Sequence, residues 1–321
     1  MNGRLHRIYL MIKPCLPALF INVIKEIYFH VSLYRYKREV NKRTVYSVFD
    51  YKQLAADMPL VTREYGYNAF YGTADIVKNA MRLPLNKPLD GIVEHGFCFP
   101  PDDISEVDKP KQTIYVMGKV RQKFLQNRFP DKDIYSIGPY IQYVAPFQSA
   151  EWIKAQRKKL GKTLLVFPSH STHHVSMNFG VDLLIEEIEK IRKGHGFKTV
   201  LVCLYWKDIL LQLDNLFSSK GYRIVTAGHI YDPNFLARLK SIFLLSDVAM
   251  GNSLGTNIGY SISLGIPYYF YDLPAQYVGE HADESNPEMV RLKDLIQTYL
   301  GSYRENITPE AKTFITEHWG C

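Results

Sequence analysis

From Thr163 onward, short unbroken apolar runs alternate with longer segments whose apolar residues recur every three or four positions. The runs TLLVFP (163–168), TVLVCLYW (199–206), YRIVTAG (222–228), DVAMG (247–251) and IPYYFYD (266–272) predict strands. The segments FGVDLLIEEIEKIRK (179–193), ILLQLDNLFSSKG (209–221), PNFLARLKSIFLLS (233–246) and Thr256–Leu264 predict helices. Gly221 is placed to end the second of these helices, and Asp232 to cap the third ahead of a proline in its first turn. Strands apolar at every position, separated by helices, predict a parallel sheet covered on both faces.

The first half is less periodic but follows the same grammar. GIVEHG (91–96), TIYVMG (113–118) and IYSIG (134–138) are short apolar segments ending in glycine, and VRQKFLQNRF (120–129) between the last two has a helical pattern. QSAEWIKAQRKKLGK (148–162) is a polar, helical connector. The predicted fold class is therefore α/β, with two Rossmann-like domains facing a cleft. The boundaries fall at 1–43 for a basic, apolar leader, 44–150 for an acceptor-side domain and 151–321 for a donor-binding domain. Ligands of such folds bind in the crevice outside the carboxyl ends of the strands.

The net charge of +7 changes the picture once it is located. Residues 1–43 carry nine Lys or Arg against Glu26 and Glu39, which accounts for the whole excess. A nucleic-acid binder spreads basic residues over a folded face, so none is expected as a partner. The leader also holds the apolar run Ile8–Val31, interrupted by Lys13, Pro14, Pro17, Lys25 and Glu26, too broken to span a bilayer. No small-residue cleavage site follows it, as a signal peptide would need. It reads either as the first helix of the amino-terminal domain or as an interfacial helix drawn to anionic lipid. The four cysteines, Cys15, Cys98, Cys203 and Cys321, contain no CxxC pair and suit reduced thiols in the cytoplasm.

Candidate chemistry gathers at the strand ends. Gly251-Asn252-Ser253-Leu254-Gly255-Thr256 places glycines, hydroxyls and an amide where a strand turns into a helix. Such a turn can seat a phosphate on backbone N–H groups, although by itself it equally suits an ordinary helix start. PSHSTHH (168–174) offers Ser169, His170, Ser171 and Thr172 to a diphosphate or sugar acid; a zinc site on His170, His173 and His174 lacks a matching Cys or carboxylate cluster, and no metal is expected. Lys207, Gly228 and His229 end the next two strands, Lys207 to neutralise phosphate and His229 to reach base or ribose. On the acceptor side, His95 is the candidate general base, with Glu94 to orient it or act itself, and Asp103 or Asp102 as alternatives.

The ordered series VEHGFCFPPDD, YVMGKVRQKFLQ, IYSIGPYIQY, LLVFPSHSTHH, VLVCLYWKD and VTAGHIYDPNFLARLKSIFLLSDVAMGNSLGTNIGYSISLGIPYY resembles proteins of bacterial capsule and O-antigen clusters, described as polysaccharide-biosynthesis proteins or GT-B-fold glycosyltransferases. More distantly, the chain is similar to sialyltransferases, Kdo transferases and CDP-glycerol transferases. The resemblance implies transfer of a sugar from a CMP-, UDP- or GDP-linked donor to a glycan or lipid-linked acceptor. It implies no resident cofactor or metal, while the thiols and the basic leader point to a cytoplasmic protein, at the inner face of the cell membrane if the leader binds lipid. Alternatives are an enzyme of the same fold with other chemistry (a nucleotide-sugar 2-epimerase, a pyruvyl or glycerophosphate transferase) or a non-catalytic assembly scaffold.

Overall fold

The computed structural model describes residues 18–98, 104, 105, 107–169, 175–273, 275–279 and 287–320. The chain divides into two compact units, residues 1–45 with 58–62, and residues 46–57 with 63–321.

Among the described residues of the first unit is one long helix, α1 (Ala18–Arg43). Its last turn is held by Arg43 Nε donating to Glu39 Oε1 at 3.0 Å.

The second unit is mixed α/β and contains two parallel sheets. In the smaller, β1 (Ile92–Val93), β2 (Thr113–Val116) and β3 (Asp133–Ser136) lie side by side in chain order. Helix α2 (Thr73–Ala80) precedes β1, and α3 (Lys119–Arg128) crosses from β2 to β3. Helix α4 (Ala150–Leu160) leads into the larger sheet, its first turn capped by Ser149 Oγ accepting from the Trp152 N–H.

The larger sheet contains β4 (Thr163–Phe167), β6 (Thr199–Cys203), β7 (Arg223–Val225), β8 (Val248–Gly251) and β9 (Tyr268–Phe270). Its spatial order is β7-β6-β4-β8-β9, all neighbours parallel. This is a doubly wound order whose direction of travel reverses between β4 and β8. Alternate strand residues point to opposite faces, and both faces are buried. Leu165, Leu201, Val225 and Ala249 pack with α6 (Phe235–Phe243) and α7 (Thr256–Ser263). Leu164, Val166, Val200, Val202, Val248 and Met250 pack under α5 (Val181–Gly194), through Leu184, Ile188 and Ile191.

Three features depart from the sequence pattern. A two-stranded antiparallel ribbon, β5 (Val175–Phe179) with β10 (Ala275–Gly279), stands apart from the main sheet. The helix expected over 209–221 is two single turns, Trp206–Leu210 and Asp214–Ser218, broken where Gln212 takes φ 63°. The break lets the buried Asp214 accept from the Tyr51 hydroxyl at 3.1 Å. Asp232 is not the cap of α6, which begins after Asn234. Instead it forms a fully buried ion pair with Arg238 at 2.7 Å.

The last described helices, α8 (Pro287–Leu300) and α9 (Pro309–Trp319), return to the first half of the chain. Helix α9 packs on both α3 and α7 and so links the layers of the two sheets. A side chain at Gly118 would overlap the His318 carbonyl, and one at Gly320 would overlap the Met117 carbonyl, so backbone meets backbone there.

Candidate functional site

The carboxyl ends of β4, β6, β7 and β8 open onto a cavity of about 270 Å³, and the loop after β1 closes it from the other sheet. Phe167 ends β4 and Pro168 follows it, Cys203 ends β6 and Leu204 and Tyr205 follow it, and Ser253 to Gly255 lead from β8 into Thr256 and Asn257 of α7. The cavity thus lies at the place where the strand order reverses, which is where open α/β sheets take their ligands. His95 and Phe97 supply the wall from the smaller sheet.

The two sides are tied by a hydrogen bond, the Phe97 N–H donating to Thr256 Oγ1 at 2.9 Å. Thr256 is the first residue of α7, and Gly255 ahead of it is extended. Behind the turn, Asn252 Oδ1 accepts from the Ser169 N–H at 2.8 Å and pins the ends of β4 and β8 to one another. Asn252 and Ser169 are 3% and 4% exposed, and Asn252 Nδ2 and Ser169 Oγ have no hydrogen-bond partner among the described residues. Both residues are buried behind the turn rather than on the cavity wall.

No Lys, Arg, Asp or Glu lines this cavity among the described residues. Burial pushes the Cys203 thiol and the Tyr205 hydroxyl up to about 12, and burial also raises Tyr260, so these wall groups stay neutral. An anion seated here would be held by backbone N–H groups, hydroxyls and the positive end of α7 rather than by a lysine. Aromatic rings make up much of the remaining wall. Tyr71 stacks on His95 with centroids 6.2 Å apart and lies tilted by 50° against Phe235 at 4.6 Å. Tyr71 holds φ 59°, a left-handed conformation that costs an aromatic residue about 1–3 kcal/mol, and its N–H donates to the Ile230 carbonyl at 2.6 Å.

The structure thus brings His95, Ser253, Gly255 and Thr256 to one cavity, whereas Ser169 and Asn252 are buried off its wall and bonded to each other behind the turn. Other expected residues lie elsewhere. His229 is buried, its Nδ1 accepting from the Tyr231 N–H at 3.2 Å and its Nε2 3.5 Å from Asp57 Oδ1. Lys207 is half-buried in the turn Trp206–Leu210, off the cavity wall, and Gly228, at φ 101°, donates its N–H to Thr226 Oγ1. Glu94 is off the wall of this cavity. Its buried carboxylate accepts from Arg121 Nε at 2.8 Å, and its carbonyl accepts from the Tyr140 hydroxyl at 2.8 Å. Asp102, Asp103, His170, Ser171, Thr172, His173 and His174 lie outside the described residues.

A second, larger cavity of about 710 Å³ adjoins the first, with Phe97 lining both. Its walls come from the ends of β1 and β2, from α3, and from α8 and α9, and include Arg121, Arg291 and His318. Tyr71, Phe97, Tyr205 and Tyr260, cavity residues to which sequence reasoning assigned no role, are all aromatic. The one available signal was Tyr71-Gly72, an aromatic residue beside a glycine just ahead of a helix.

Fold and site together define an α/β protein with a doubly wound sheet and a cavity at its switch point. No protein-family profile matches the chain, and no curated protein sequence matches it. Among solved structures, it is similar to the wall teichoic acid polymerase TagF soaked with CDPG, at 15% identity over 65% of this chain and 44% of that one, with a TM-score of 0.34. It is also similar to the Methanocaldococcus jannaschii UDP-GlcNAc 2-epimerase in complex with UDP-GlcNAc and UDP, at 11% identity over 75% of this chain and 70% of that one, TM-score 0.39. The chain thus spans less than half the length of the polymerase.

Proposed function

We propose that the protein is a glycosyltransferase of the GT-B type, with residues 44–150 forming the acceptor side and 151–321 the donor side of a cleft. A nucleotide-activated sugar is the donor and a polysaccharide or lipid-linked oligosaccharide the acceptor, in capsule or O-antigen synthesis at the cytoplasmic face of the membrane. The observation that carries this reading is the crevice at the β4/β8 switch point, lined by Ser253, Gly255 and Thr256 at the start of α7 and walled by His95 from the other sheet. The aromatic wall suits a base and ribose, and the start of α7 suits the phosphate.

In the proposed reaction His95 takes the proton of an acceptor hydroxyl that enters from the larger cavity past Phe97. The hydroxyl oxygen bonds to the anomeric carbon as the bond from that carbon to the donor phosphate breaks. The leaving phosphate keeps the electron pair, and donors already aimed at it stabilise its developing charge without reorganisation. No resident cofactor or metal takes part in this scheme.

A thermal-shift screen with CMP, CDP, UDP and GDP tests the binding half of the proposal. One of them should raise the melting temperature, and absence of any shift at saturating concentrations would remove a nucleotide donor. With the nucleotide known, His95→Ala should abolish transfer while leaving that shift intact, whereas retained turnover would remove the base assignment. Conversion of the sugar nucleotide without acceptor would identify an epimerase instead.

A further inference from the structure

We infer that α1 is a docking surface for an anionic lipid bilayer. The helix is apolar on two sides. Phe29, Leu33, Tyr36 and Val40 are the partly covered side. The opposite side carries Phe20, Val23, Ile27, Val31 and Tyr34, exposed by 48–70%. Their spacing of three and four residues keeps them on one stripe about 20 Å long. Helices of folded proteins bury an apolar stripe, so a second one left open calls for an apolar environment that the described chain does not provide.

Charge selects the occupant. The turns that follow the stripe expose Arg35, Lys37, Arg38 and Lys42. The acids of the helix are few, Glu39 engaging Arg43 and Glu26 lying 3.9 Å from His30. A second copy of the helix would bring exposed Glu26 as its acid to these four cations, whereas an anionic leaflet presents a phosphate to each of them. Tyr28 and Tyr34, both exposed, are amphipathic rings of the kind that settle at the boundary between acyl chains and headgroups. No helix among the described residues is long and apolar enough to cross a membrane, so α1 would lie in the surface plane.

Co-sedimentation of the full chain with phosphatidylcholine vesicles, with and without phosphatidylglycerol, tests this. Binding should require phosphatidylglycerol and fall with salt. Ile27→Asp with Val31→Asp should abolish it, and Lys37→Glu with Arg38→Glu should weaken it about tenfold or more, each with an unchanged melting temperature in the absence of vesicles. Three results would overturn the inference: no sedimentation with either vesicle, equal sedimentation with both, or a dimer in gel filtration that Ile27→Asp dissociates while lipid binding is absent. Nucleotide shifts and transfer in the absence of vesicles are read separately, so the docking surface and the transferase reading can fail independently.

Discussion

Phe97 stacks face to face on Trp319, with centroids 3.7 Å apart and planes 13° from parallel. One ring follows β1 and the other ends α9, so the wall between the two cavities is held from below by a residue distant in sequence. Trp319 is fully buried and fills the space over Gly259, where any side chain would overlap the indole. Trp319→Ala should cost about 3–5 kcal/mol and Gly259→Ala about 1–3 kcal/mol in urea denaturation. Both should weaken nucleotide binding by loosening Phe97. A Trp319→Ala protein as stable as the parent would show that the stack does not hold the wall.

Arg121 and Glu94 are 7% and 1% exposed, and breaking one side of such a pair strands a charge. Arg121→Met is expected to lose about 3–5 kcal/mol, and Arg121→Met with Glu94→Leu to recover much of that loss. Glu94→Gln, which keeps most of the shape, should retain the transfer rate of the parent, because Glu94 serves Arg121 rather than His95. A Glu94→Gln enzyme that folds normally and is inactive would reassign Glu94 to the chemistry.

Asn252 is buried behind the turn at Gly251–Thr256, its Oδ1 accepting from the Ser169 N–H and its Nδ2 without a partner among the described residues. Asn252→Asp keeps the acceptor but replaces the donor with negative charge. Calorimetry should therefore show nucleotide affinity falling about tenfold or more, with nucleoside affinity little changed. An equal loss for nucleotide and nucleoside would mean that Asn252 only shapes the turn.

His318 in α9 is largely desolvated, which lowers its pKa, and Arg291 nearby adds to the effect; its hydrogen bond to the Phe314 carbonyl at 2.9 Å and the charge of Glu317 oppose it. The unfolded chain takes up a proton near the usual histidine value of about 6.5, while the folded chain does so only at lower pH. The folded state therefore loses stability as pH falls through and below about 6.5, and the loss is complete once pH passes below the folded pKa. His318→Gln should flatten this part of a denaturation-midpoint profile. An unchanged slope in the variant would move the acid sensitivity to another group.

The parallel strands were legible in the sequence because strands buried on both faces leave a signature no other element shares, as in TLLVF and TVLVC. The turn at Gly251–Thr256 was legible as a loop, and its neighbours on the crevice followed from the rule that strand ends share an edge. What escaped was set by side-chain direction rather than by position in the chain. Lys207 and His229 end their strands as expected, yet one sits in a helical turn off the wall and the other turns inward to Trp206 and Tyr231. Glu94 adjoins His95 in sequence, but past the end of β1 the first lines the larger cavity with Arg121 and the second the smaller one. The break at Gln212 answers a tertiary need, the burial of Asp214 against Tyr51, that no local pattern encodes.

The junction in which Gly118 and Gly320 bring backbone against backbone also sets an order of assembly. The ends of β2 and β3 are covered only when residues 309–320 arrive, and the glycines leave no side chains there to cover the strands in the meantime. On a ribosome the three-stranded sheet would be made early and finished late, with β4 to β9 forming in between. A nascent chain stalled before residue 309 would expose Met117 and Trp319's place beside Phe97, offering chaperones an apolar surface that the finished protein does not have.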